Sequence, residues 1–375
     1  MLLSNNPKTV VVIGGGIFGV STAVHLARLG VSTTLINDGP LANGASGRSL
    51  AWLNSARRRS HAYHRLRLEG LDRYRSLALD HPGAAWLRFH GGLTWDADDD
   101  RNEVADVFEY ERALGYPAEL LSPNGVNERV PGVDARAVTR QGAIFNPGEG
   151  WVDLPSLIGV LAREFEATGG TIVTDAGRAA VDIKEGRARG ATSASGQRWM
   201  ADAVLLAVGG EVPTVLAKAG VHIADQTPVA LLVRTKPVAH PLKAVLNTPR
   251  VAIRPTPDGA FALDSAWSEE EIIVRVDGNH EVRQSTLDGL LAEASKVLAG
   301  NPQLELDSYG IGLKPIPGDG DPVFGELQAI PGYFVAFSHS GATLGLITGE
   351  LLAAEIASGR REPLFADFRP ERFVG

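Results

Sequence analysis

Thr9-Val10-Val11-Val12-Ile13-Gly14-Gly15-Gly16-Ile17-Phe18-Gly19-Val20-Ser21 runs an apolar strand straight into Gly-x-Gly-x-x-Gly and on into a helical pattern. The three glycines differ in what they allow. Gly14 permits the tight turn, Gly16 lets a pyrophosphate approach the backbone, and Gly19 lets helix and strand pack. The start of the helix then offers unpaired N–H groups to phosphate. A glycine-rich turn alone also occurs as a plain chain reversal, but a strand before it and a helix after it are what mark a dinucleotide site. Ala23, Leu26, Ala27 and Leu29 carry the helix and Gly30 ends it. A second strand, Thr33-Thr34-Leu35-Ile36, leads to Asn37-Asp38, where an acidic group normally takes the ribose hydroxyls.

The 375 residues suggest two domains with ample core to enclose a cofactor. A net charge of −8 without a long basic tract leaves nucleic acid no electrostatic footprint. No apolar run is long enough to span a bilayer, and the first residues lack the charged start of a signal peptide, so the expected location is the cytoplasm. Cysteine is absent, which removes disulfides, thiolate nucleophiles and cysteinyl attachment of a cofactor. The nine histidines include no His-Glu-x-x-His, and His61 and His64 have no third ligand, so they read as surface or hydrogen-bonding residues and no metal is expected.

Beyond the N-terminal unit, Gly44-Ala45-Ser46-Gly47-Arg48-Ser49-Leu50-Ala51-Trp52 is a small-residue loop suited to packing against a ligand. Asp153 reads as an N-cap with Pro155 in the first turn of a helix running to about Ala167. A strand follows near Gly169 to Thr174, and a buried one over Ala201 to Gly210. Near the C-terminus, Gly310 to Gly325 precedes the strand Tyr333 to Phe337, then Ser338-His339-Ser340-Gly341-Ala342-Thr343 and a helix to about Ser358. Two stretches, 86–144 and 226–309, have β-like patterns, with a helix from about Ser285 to Leu298 covering the second. The expected class is α/β in two domains: a discontinuous Rossmann-like domain over 1–85, 145–225 and 310–375, with an inserted antiparallel-sheet substrate domain over 86–144 and 226–309.

In combination, the Gly14/Gly16/Gly19 turn, Ala45-Ser46-Gly47, the strand ending in Gly209-Gly210, Gly312-Leu313-Lys314-Pro315 with Asp319-Gly320, and His339-Ser340-Gly341 resemble the FAD-dependent amine and amino-acid oxidoreductases, the family of D-amino-acid oxidase, glycine oxidase and monomeric sarcosine oxidase. The resemblance covers essentially the whole chain. It implies non-covalent FAD, with Gly14, Gly16, Ile17, Phe18 and Gly19 around the pyrophosphate. It also implies Ala45, Ser46, Gly47, Arg48 and Ser49 beside the diphosphate and flavin, Ala180 at the adenine, and Ala207 and Gly209 under the nucleotide. Asn37 departs from the usual ribose-binding glutamate; an amide still hydrogen-bonds a hydroxyl without charge assistance, and Asp38 is the alternative. His339, Ser340, Gly341, Ala342 and Thr343 match the stretch beneath the flavin ring, where N–H groups and a helix start near Ala342 would stabilise negative charge.

The resemblance further implies oxidation of a C–N bond in a small amino acid or secondary amine, by hydride transfer to flavin N5, to an imine that hydrolyses. Such chemistry needs a cation to hold a carboxylate in register. Lys314, in Gly-Leu-Lys-Pro, and Arg254, in Ile-Arg-Pro, are the two candidates, with His339 either facing substrate or bonding its loop. Lysine lacks arginine's bidentate fork, and a salt bridge from Lys314 to Asp319 or Asp321 is the competing reading. The run Arg57, Arg58, Arg59, Arg65, Arg67, Arg73 and Arg75 reads mostly as a solvated helix face, with one or two early members near the site. Trp52, Tyr63, Trp267 and Tyr309 are candidate pocket aromatics. Electrons would pass to O2 or another acceptor, because the strand Ala260 to Asp264 has no lysine of the kind that assists oxygen in the sarcosine-oxidase branch. Competing readings are a non-catalytic or redox-sensing flavoprotein subunit, and an NAD(P)-dependent dehydrogenase. Substrate, chirality and oligomeric state are not legible in the sequence.

Overall fold

Val10 and Val12 point to one side of the first strand and Val11 and Ile13 to the other, and all four are buried, as expected of a strand covered on both faces. The computed structural model describes residues 7–373. The first six residues, on which the expectation of no leader rests, and the last two lie outside the described residues. Thr9–Ile13 sits inside a six-stranded sheet in the order Val323–Glu326, Tyr333–Phe337, Ala203–Leu206, Thr9–Ile13, Ser32–Ile36, Thr171–Val173. Its neighbours pair in parallel, Val11 opposite both Val204 and Thr34, and only the Val323–Glu326 edge is antiparallel. One face packs through Val10, Val12 and Leu35 on the helices Ile17–Arg28, Leu154–Ala167 and Gly341–Ser358. The other buries Val11, Ile13, Val204 and Leu206.

The helix Ile17–Arg28 starts where the glycines place it. Gly14 has φ +119°, open to glycine at little cost, and a Cβ on Gly19 would overlap the Gly14 carbonyl oxygen. The Asp153 N-cap holds Leu154–Ala167 by accepting the Ser156 N–H at 3.2 Å. The C-terminal helix begins at Gly341, one residue before the expected start.

A second sheet has eight strands in the order Leu306–Leu313, Val229–Thr235, Phe261–Asp264, Ala252–Pro255, Val245–Asn247, Gly92–Thr94, Ala143–Asn146, Glu119–Leu121. It is antiparallel except where Val245–Asn247 runs parallel to Gly92–Thr94, the seam at which its two chain segments join. The helix Gln284–Val297 covers it through Leu287, Leu290, Leu291 and Ala294. The strands Ala143–Asn146 and Leu306–Leu313 run across residues 145 and 310, where the sequence suggested boundaries. No described helix is long and apolar enough to cross a membrane.

Candidate active site

A cavity of about 970 Å³ runs from the glycine turn to the face of the eight-stranded sheet. At the turn it is lined by Gly14, Gly15, Gly16, Ile17 and Phe18, with Asp38, Ala180, Ala207 and Gly209 beyond them. The first turn of Ile17–Arg28 has no side-chain cap except Ser46, whose Oγ accepts the Ile17 N–H at 3.0 Å. N–H groups of that turn are thus free to receive phosphate oxygens. Gly19 and Gly47 do not line the cavity; each is held by packing, Gly47 against the Ala42 carbonyl oxygen.

Asn37 lines the cavity but is 7% exposed and already engaged. Its Oδ1 accepts the Gly15 N–H at 2.8 Å, and its Nδ2 donates to the Gly39 and Pro40 carbonyls at 2.8 and 2.9 Å. It fastens the glycine turn to the following loop. The exposed Asp38 keeps a carboxylate at the cavity, sharing one oxygen with Asn43 Nδ2 at 3.2 Å.

Further along, Ala45, Ser46, Arg48, Ser49 and Trp52 form one wall, and His339, Ser340, Gly341, Ala342 and Thr343 another. Gly341–Ser358 has no side-chain cap, so its first N–H groups face the cavity with the positive end of the helix dipole. The Ser340 hydroxyl is held by Tyr63 Oη and Arg67 Nη1. His339 opens into the cavity without a side-chain hydrogen bond among the described residues. Burial together with the charges of Lys314, Arg67 and Arg59 lowers its pKa to about 4, so the ring is neutral at pH 7.

The arginine run divides in a way its composition does not show. Arg57 and Arg59 precede the helix His61–Asp80, and with Arg67 they line the cavity. Arg57 is paired with Asp96 at 3.0 Å. Arg67, 2% exposed, donates to the Asn54 carbonyl and Asn54 Oδ1, both at 2.8 Å. Arg59 makes no ion pair among the described residues, and its buried Nε has no partner. Burial and the neighbouring Arg67 bring its pKa down to about 10, still a cation at neutral pH. It was legible only as a member of the run; the signal that separates it is its place directly before the Ser60 N-cap, close after the Ala45-Ser46-Gly47 loop.

Of the two expected carboxylate anchors, Lys314 lines the cavity, but its ammonium is paired with Glu269 of the helix Ala266–Glu270. The competing acids named from sequence do not hold it: Asp319 pairs with Arg372 at 2.7 Å, and Asp321 accepts from the Ser60 hydroxyl at 3.4 Å. Arg254 lies outside the main cavity, at a neighbouring one of about 330 Å³ with Arg48, Asp153 and Tyr309. Its Nη2 is 3.8 Å from Asp153 Oδ1 and its guanidinium stacks over Trp151. Arg48, lying across Gly310 and Gly312, forms part of both cavities.

Of the aromatics, Trp52 lines the cavity, Tyr63 is buried behind it, and Trp267 is turned away to donate to the Arg250 carbonyl at 2.8 Å. His64 is a buried hydrogen-bonding residue, its Nδ1 2.8 Å from Ser55 Oγ. No group of three potential metal ligands occurs among the described residues. Sequence reasoning missed Asn247 and Asp264, which face the cavity from the eight-stranded sheet; they stand on the two strands that flank Ala252–Pro255, and nothing local marks them.

The cavity fits an extended dinucleotide carrying a ring system. It offers a glycine cradle and free helix N–H groups at one end, an exposed carboxylate beside the second strand, and a second helix start at the other end. A family model described as DAO, FAD dependent oxidoreductase, matches residues 9–355. A D-amino acid dehydrogenase of Rhizobium johnstonii is 23% identical, over 94% of this chain and 97% of its own. Glycine oxidase from Geobacillus kaustophilus superposes with a TM-score of 0.81 at 21% identity, over 98% of this chain and 99% of that one. L-amino acid deaminase from Proteus myxofaciens, in complex with anthranilate, gives 0.82 at 18% identity, over 99% and 94%.

Proposed function

Because the chain belongs to the DAO family of FAD-dependent oxidoreductases, we propose that it oxidises the C–N bond of a small amino acid or secondary amine, giving an imine that water hydrolyses. The observation that carries this reading is Arg59, a guanidinium facing the cavity without an ion pair among the described residues. A free cation inside a pocket is costly unless an anion completes it, and a substrate carboxylate is the anion this chemistry brings. The named substrates of the relatives, D-amino acids, glycine and L-amino acids, all carry one.

FAD, when bound, supplies the hydride acceptor at N5. Gly14, Gly16, Ile17 and Phe18 would hold its diphosphate, Asp38 its ribose and Ala180 its adenine, with Ala207 and Gly209 below. The N–H groups from His339 to Thr343, the Arg67 guanidinium behind Ser340, and Ser46, Arg48 and Ser49 would surround the ring and favour negative charge there. Arg59 would orient the substrate carboxylate, and the neutral His339 ring and Trp52 would limit the space around the α-carbon. In this reading 1–85, 145–225 and 310–375 chiefly serve the cofactor, with Trp52, Arg59 and His339 reaching the substrate from them, and 86–144 and 226–309 serve the substrate, the strands Ala143–Asn146 and Leu306–Leu313 crossing the two divisions.

The test is an anaerobic absorbance titration of the purified protein with D- and L-amino acids, glycine, sarcosine and proline. Bleaching of the flavin band by one class is expected and identifies the substrate class. A flavin band that no amine bleaches would refute the proposal.

A further inference from the structure

Asp264 ends the strand Phe261–Asp264, opposite Ala252 in register, and Ala252 is in turn opposite Asn247. Residues paired in this way share one face of a sheet, and all three line the cavity. Lys314 and Glu269 are the charged groups that act on the Asp264 carboxylate, and they are committed to each other. Arg57 and Arg59 from the segment before the helix His61–Asp80, Arg67 from the helix itself, Arg48 lying across Gly310 and Gly312, and His339 from the turn before Gly341 are further charged or titratable groups on the same cavity. Among the described residues Asp264 forms neither an ion pair nor a side-chain hydrogen bond. Asp264 and Arg59 thus line the same cavity without an ion pair among the described residues, as do Asp38, Arg48, Arg67 and Lys218. Asp38 and Arg67 are engaged by side-chain hydrogen bonds and Arg48 lies across Gly310 and Gly312. An acid and an arginine left in this way are complementary to a zwitterion.

We propose that Asp264 receives the proton that the substrate ammonium must lose before its α-hydrogen can leave as hydride. This rests on the amino-acid reading above. One N–H bond of the ammonium breaks and leaves its electron pair on nitrogen, while one O–H bond forms on Asp264. The positive and negative partners become two neutral ones, a change favoured where water is scarce. Burial raises the Asp264 pKa to about 6, with Lys314 opposing and Glu269 reinforcing. The carboxylate is thereby about a hundredfold more basic than an ordinary aspartate, and remains ionised at pH 7.

The experiment compares wild type, Asp264→Asn and Asp264→Glu, each confirmed by its flavin spectrum to hold FAD. In wild type kcat/KM should fall below about pH 6, where Asp264 is protonated. Asp264→Asn should lose about 10²–10⁴-fold in kcat/KM at pH 7 and regain it about tenfold per pH unit on the alkaline side, as free amine replaces ammonium. Asp264→Glu, which keeps the acid, should keep the acid limb. A calorimetric titration supplies a readout independent of turnover. Asp264→Asn should bind 2-aminoisobutyrate, a zwitterion without an α-hydrogen, about tenfold or more weakly, and bind isobutyrate unchanged. If Asp264→Asn keeps the wild-type acid limb, or weakens both ligands equally, the assignment of Asp264 is overturned and the amino-acid reading stands. If wild type holding FAD neither binds nor oxidises any amino acid, both fall.

Discussion

Replacing Arg59 by methionine should weaken substrate binding and strengthen the fold, two effects of opposite sign from one buried charge. The guanidinium is drawn largely out of water, its Nε has no partner among the described residues, and its pKa is lowered to about 10. Above pH 10 the folded chain holds this proton less well than the unfolded one, so stability from this residue rises with pH there; at neutral pH the penalty is present in full. Discounted for the side of the group open to the cavity, removing the charge should gain on the order of 1–2 kcal/mol. The same change deprives a bound carboxylate of charge-assisted hydrogen bonds and leaves it unpaired, a loss of about 2–4 kcal/mol, which multiplies KM by about 30–1000. The assay pairs steady-state KM with urea unfolding at pH 7 and the flavin spectrum. Lys314→Met is the control: it strands Glu269 beside Asp264, so it should lower stability and raise KM less than Arg59→Met does. A KM for Arg59→Met within about threefold of wild type would refute the reasoning, and so would a larger effect from Lys314→Met.

Gly19→Ala should destabilise by about 1–3 kcal/mol and release FAD, because the new methyl meets the Gly14 carbonyl and either helix or turn must move; thermal unfolding and the flavin-to-protein absorbance ratio report both. Glu149 is fully buried against Tyr116 Oη at 2.5 Å and Trp52 Nε1 at 2.8 Å, and burial raises its pKa to about 8. Between the ordinary glutamate range and pH 8 the folded chain binds the extra proton, so stability falls as pH rises through this window. Urea unfolding at successive pH values should show a decline on the order of 3 kcal/mol that Glu149→Gln abolishes. Glu355 and Arg369 form a buried two-pronged pair at 2.7 and 2.8 Å; Glu355→Gln leaves the guanidinium uncompensated and should cost about 3–5 kcal/mol in urea unfolding.

The parallel sheet was legible because its signals are local. Thr9–Ile13, the glycine turn and Tyr333–Phe337 announce themselves by period and by glycine, and the Asp153 N-cap by its residue type and the proline after it. The parallel seam between Val245–Asn247 and Gly92–Thr94 was not, because it joins segments about 150 residues apart whose patterns say only that each is a strand. Asn37 shows the limit differently. Its position after the second strand marked it for the ribose, but the position does not say that Gly15, Gly39 and Pro40 already use the side chain.

The same limit decides the substrate end. Lys314, Arg254 and Arg59 are all cations near recognisable segments, and composition ranks Lys314 and Arg254 first because they stand in motif-like strings. What separates them is whether an acid is already in reach, and that depends on chain segments far away in sequence: Glu269 reaches Lys314, Asp153 lies by Arg254, and among the described residues none takes Arg59. A binding charge must stay uncompensated until its ligand arrives, so the structural mark of such a residue is a missing partner. Applied to the acids at the same cavity, this criterion leaves Asp38 and Asp264 among the described residues, and of the two only Asp264 belongs to the eight-stranded sheet, beside Lys314 and Glu269, which satisfy each other. Two charges of opposite sign, each left without an ion pair among the described residues, fit a ligand that carries both, and an amino acid in its zwitterionic form is such a ligand.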